Sequence, residues 1–92
     1  MNGMQWQPQF EGQDSGSWCE MVIREDVPKS ELKTFLEPAG TWSWEVSLYA
    51  SPHEHFATGY GCATEGKARF MAMSAVSALL QIIDGVKPHE VD

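Results

Sequence analysis

Ninety-two residues carrying thirteen acids against six bases, a formal charge of −7, describe one domain whose net charge repels phosphate and anionic lipid. A chain of this length buries only ~60–65% of its unfolded surface, so four Trp, four Phe and two Tyr must supply much of the core. No apolar run approaches the ~20 residues of a bilayer-spanning helix. With two cysteines, Cys19 and Cys62, and no charged-then-apolar leader, the expectation is a cytoplasmic protein with free thiols.

The charge is unevenly spread. Residues 1–54 hold nine acids and three bases, a balance of −6, whereas residues 55–92 hold four acids and three bases, a balance of −1. The leading half therefore carries the field, and a surface of this kind is drawn to basic partners.

In chain order, residues 1–17 are rich in Gln, Gly and Ser, with Met4, Trp6, Pro8 and Phe10 alternating with polar neighbours. They predict a polar arm or an edge strand, since Pro8 excludes a central one. Residues 18–25 alternate as a strand, with Cys19, Met21 and Ile23 on one side and Trp18, Glu20, Val22 and Arg24 on the other. In VPKSELKTFLEP, Leu32, Phe35 and Leu36 share a helical face between Pro28 and Pro38, which predicts a short helix over 28–37.

Ala39-Gly40 breaks the chain, and TWSWEVSLYA follows with period two: Trp42, Trp44, Val46 and Leu48 inward, Thr41, Ser43, Glu45, Ser47 and Tyr49 outward. SPHEH is read as a turn, and residues 55–63 return as the hairpin partner. There Phe56, Thr58, Tyr60 and Cys62 share one face, and the other face is made of Ala57, Gly59, Gly61 and Ala63, small enough for a helix to lie close.

That helix is TEGKARFMAMSAVSALLQIID. At about 100° per residue, Ala68, Met71, Ala72, Ala75, Val76, Leu79, Leu80, Ile82 and Ile83 form one apolar arc. Thr64 caps the start, Glu65 suits the positive end of the dipole, and Gly85 suits the end. Phe70 falls on the polar side, where the amino-terminal arm or a partner must cover it. The predicted fold is α+β: a three- or four-stranded antiparallel sheet with a short helix and a long C-terminal helix packed on one face. Residues 18–86 form the domain and 87–92 a frayed tail.

Candidate chemistry is sparse. His53-Glu54-His55 sets two imidazoles on one side of an extended chain, but a metal needs three or four ligands, and Cys19, Cys62 and His89 have no zinc-like spacing. No nucleophile motif, glycine-rich phosphate loop or paired carboxylates stand out. No enzyme, metal or cofactor is expected.

Two resemblances bear on function. From Trp44 to Leu80, WEVSLY, a turn and FATGYGCATEGKARFMAMSAVSALL resemble the second half of a double-stranded-RNA-binding domain, a hairpin ending in Gly-x-Gly before a helix with spaced alanines and leucines. The likeness implies a helix on a sheet, with Lys67 and Arg69 at the phosphate-facing helix start. That family places a lysine cluster there, whereas this chain has Thr64-Glu65-Gly66, so the topology carries over and RNA binding does not.

In character rather than motif, the chain is similar to the small acidic anti-CRISPR and anti-restriction inhibitors made by bacteriophages. That likeness implies a non-enzymatic inhibitor that occupies a basic, DNA-binding surface of a host nucleic-acid-handling protein or ribonucleoprotein, with no direct duplex DNA binding and no membrane. The contact residues expected are Glu20, Glu25, Asp26, Glu31, Glu37 and Glu45 for charge, with Tyr49 and Phe70 as aromatic contacts. The rival readings are a duplex-RNA-binding module and a homo-oligomeric phage or bacterial structural protein that self-associates through Phe70, Ser74 and Ser77.

Overall fold

A computed structural model describes residues 5–9, 15–22, 27, 29–50 and 53–85. Among the described residues, five strands, β1 (Gln7–Pro8), β2 (Ser17–Met21), β3 (Lys29–Leu36), β4 (Trp42–Ala50) and β5 (His53–Cys62), precede one helix, α1 (Glu65–Gly85). The strands form a single antiparallel meander in the order β1-β2-β3-β4-β5. The helix packs across β3, β4 and β5 on one face, so the fold is α+β with a sheet larger than the sequence predicts.

The extra strand is β3, where a short helix was expected. Its inward residues are Ser30, Leu32 and Thr34, all buried, and its outward ones are Lys29, Glu31, Lys33 and Phe35. Two of the three inward side chains are small and polar, so an apolar period of two is hidden while Leu32, Phe35 and Leu36 imitate a helix. Tertiary pairing decides: β3 lies between β2 and β4 and aligns with β4 over its whole length, from Lys29 opposite Tyr49 to Leu36 opposite Trp42. Pro38 then makes a hairpin turn rather than ending a helix. The Gly40 amide donates to the Glu37 carbonyl at 2.9 Å, and Gly40 holds φ 92°, a conformation that glycine adopts without strain.

The core sits between the sheet and α1. Leu32, Val46 and Leu48 are fully buried against Ala68, Ala72, Val76 and Leu79 of the helix, with Val27 completing the cluster. Met71, Ala75, Leu80 and Ile83 pack at its margin, whereas Ile82, expected on the apolar arc, is largely exposed. Thr64 caps the helix as predicted, its Oγ1 accepting the Lys67 amide at 3.1 Å.

β5 follows the expected alternation up to Tyr60, with Ala57 and Gly59 toward the helix and Phe56, Thr58 and Tyr60 away from it. Beyond that the parity changes: three residues of β5 step against two of β4 between the Trp44–Gly59 and Trp42–Cys62 pairs, and Gly61 lies at φ 79°. The extra residue carries Cys62 inward, a correction to its predicted place beside Tyr60. Ser43 is also buried, although read as outward, and its hydroxyl donates to the Glu37 carboxylate at 2.7 Å.

His53 and His55 begin β5 rather than forming a turn, opposite Ala50 and Leu48. The arm does supply an edge strand, the two-residue β1, while Phe10 and the tail from residue 86 lie outside the described residues.

Candidate functional site

With α1 on one side, no described element covers the other face of the sheet, and the antiparallel register sets its side chains in rows. One row runs Trp18, Lys33, Glu45, Thr58; the next runs Glu20, Glu31, Ser47, Phe56; a third runs Lys29, Tyr49, Glu54. Four of the residues expected to make contact, Glu20, Glu31, Glu45 and Tyr49, therefore stand together on this face.

Two of the others do not join them. Glu37 sits at the β3–β4 turn, held by Ser43. Phe70 is exposed at 60%, but on α1, across the sheet from these rows, and no described part of the arm covers it. Glu25 and Asp26 lie outside the described residues.

Glu54, Phe56 and Tyr60 belong to the same face and were not among the residues expected to make contact. Phe56 is 61% exposed and Tyr60 76% exposed. The period-two pattern of β5 pointed them away from the helix, but Glu54 was hidden by reading its segment as a turn. Four acids and two lysines give this face a formal balance of −2. None of its carboxylates forms an ion pair with a lysine or arginine among the described residues. Glu54 instead accepts the Ser47 hydroxyl at 2.6 Å. Glu20 and Glu31 face each other directly across the β2–β3 ladder, a like-charge pairing that opposes folding.

Shallow depressions of about 170 and 240 Å³ share Glu31, Ser47 and Glu54; Phe56, Glu45 and Lys33 border the first, and Tyr49 and Lys29 the second. Carboxylates together with the faces of aromatic rings are the chemistry that receives ammonium and guanidinium groups.

A second polar cluster lies at the start of α1 and was missed because its members come from four segments. Glu65 Oε2 accepts the Ser17 hydroxyl, the Thr34 hydroxyl at 3.1 Å and Arg69 Nη2 at 3.3 Å. Arg69 also donates to Ser17 Oγ at 2.7 Å and lies 5.0 Å from the centre of a Trp6 ring. The Ser17 amide donates to Thr34 Oγ1 at 2.9 Å. Trp6, Trp42, Ser17, Glu65 and Arg69 line a cleft of about 270 Å³.

One carboxylate thus ties the helix to β2 and β3, and Arg69, one of the two cations expected to face phosphate, is committed to that knot. Lys67 remains exposed. Nearby, burial pushes the Cys19 thiol above its ordinary value of 9.0, against smaller opposing effects from the Gln5 backbone and Arg69.

Among the described residues, no three His, Cys, Asp or Glu side chains gather to hold a metal, and no helix is long and apolar enough to cross a membrane. Compared with protein families, curated proteins and solved structures, the chain matches none.

Proposed function

We propose that the chain is a non-enzymatic binding protein that lays its uncovered sheet face on a basic surface of a host nucleic-acid-handling protein or ribonucleoprotein and so blocks DNA access, as anti-CRISPR and anti-restriction inhibitors do. The supporting observation is the Glu20–Glu31 opposition within a face of four carboxylates that, among the described residues, have no lysine or arginine ion pair and are interleaved with exposed aromatics. A sheet selected only for stability would place opposite charges across that rung. A partner that brings cations to the face supplies the missing complement. Steering by this field raises the encounter rate, and the aromatic rings add contact area once the surfaces meet.

The reading separates stability from binding. Glu20→Lys is expected to leave the fold intact or to stabilise it by about 0.5 kcal/mol, a small gain because the site faces solvent. The same substitution, or Glu45→Lys, should slow association with a partner recovered from bacterial lysate by about tenfold at low salt, with little change in dissociation. A variant that folds normally and associates at the original rate contradicts the proposal. Duplex RNA at low salt should give no gel shift, since Lys67 stands without Arg69 beside it as a free cation.

A further inference from the structure

The two edges of the sheet are built differently. β1 ends one side with two residues, one of them Pro8, which blunts that edge. β5 ends the other side with ten residues, HEHFATGYGC, holding neither proline nor lysine. Among the described residues, no backbone group pairs with the far side of β5. An open edge of this length offers a row of amides and carbonyls to an incoming strand.

Its chemistry selects the occupant. Glu54, Phe56, Thr58 and Tyr60 project from β5 on the acidic face, and Glu45 and Tyr49 stand one strand behind them. A second copy of this chain added at this edge would set another net-acidic face beside this one. An extended segment with Arg or Lys at alternate positions complements it, because strand neighbours lie ~4.8 Å apart and these long side chains reach across β5. The depressions beside Phe56 and Tyr49 lie in that path; Glu31, Glu45 and Glu54 outnumber Lys33 in the first, and Glu31 and Glu54 outnumber Lys29 in the second, so both stay net acidic.

We propose that a basic, extended segment of the protein partner docks on β5 as a sixth strand, its alternate Arg or Lys side chains entering the depressions between Glu31 and Glu54. This inference rests on the acidic-face reading and adds backbone pairing to it: main-chain bonds give affinity, and the charged depressions choose the sequence.

The test uses the full chain and a capped nine-residue peptide alternating Arg with Val, beside the same peptide N-methylated along its backbone. N-methylation keeps the charge and removes the amide donors. The unmethylated peptide should bind about tenfold or more tightly than the methylated one and slow hydrogen exchange at β5 amides. Glu45→Lys should weaken binding of both.

Equal affinity for the two peptides, still sensitive to Glu45→Lys, overturns the sixth strand and leaves the acidic face standing. Binding of neither peptide overturns both. A doubled mass in solution with β5 amides already protected assigns the edge to a second copy, and also overturns the inference.

Discussion

Gly59→Ala is expected to destabilise the protein by about 2–3 kcal/mol, although it adds one methyl group. A Cβ at this position would stand 2.5 Å from Trp44 Nε1 and 2.6 Å from Cε2 and Cζ2 of the same indole. Trp44 pairs with Gly59 across the β4–β5 ladder and is buried in the core cluster shared by the sheet and α1, so moving the ring means repacking that cluster. The absence of a side chain at 59 is what lets a tryptophan fill the space between a strand and a helix. The measurement is the midpoint of urea unfolding. Gly66→Ala serves as a control, because its Cβ would meet only Thr64 Oγ1 at 3.9 Å within an exposed helical turn, and it should gain about 0.5 kcal/mol. Equal midpoints for Gly59→Ala and the unaltered protein would contradict this packing.

Glu65→Ala should produce a loss of similar size, about 2–3 kcal/mol, by a different route. The Thr34 hydroxyl is fully buried and Ser17 nearly so, and both donate to Glu65. Truncation strands these donors, frees Arg69 from its ion pair and removes the acid that favours the helix start. Glu65→Gln keeps an acceptor oxygen and loses the charge, so it should cost about 1 kcal/mol. Matching losses for the two variants would show that the carboxylate does not hold α1 to β2 and β3.

These two sites mark where sequence patterning was informative and where it was not. The helix was legible because its apolar arc recurs from Ala68 to Ile83 and its cap is local, Thr64 to Lys67. The strand β4 was legible because large apolar residues alternate with polar ones. β3 was misread because Ser30 and Thr34 occupy buried positions that carry no hydrophobic signal. Thr34 earns its place through the Glu65 hydrogen bond, and Ser30 through a 2.6 Å bond to the Met21 carbonyl.

The missing strand mattered for the candidate face. Read as a helix, residues 28–37 would have set Glu31 apart from Glu20 and Glu45. As a strand, they place Glu31 opposite Glu20 and on the same face as Glu45. Glu37 was grouped with them as an acid of the charged leading half, yet the β3–β4 turn directs it to Ser43. The Ser17–Glu65–Arg69 cluster had no sequence signal beyond the i, i+4 spacing of its helical pair, because its partners are brought together only by the meander.

The central claim is that the acidic sheet face takes the place of nucleic acid on a basic surface. The measurement that bears on it most directly immobilises the captured host partner and adds this protein and duplex DNA together over a range of salt. Mutually exclusive occupancy, with an association rate for the protein that falls steeply as salt rises, is the predicted result. A ternary complex in which the partner holds DNA and this protein at once, or an association rate unchanged by salt, would contradict it.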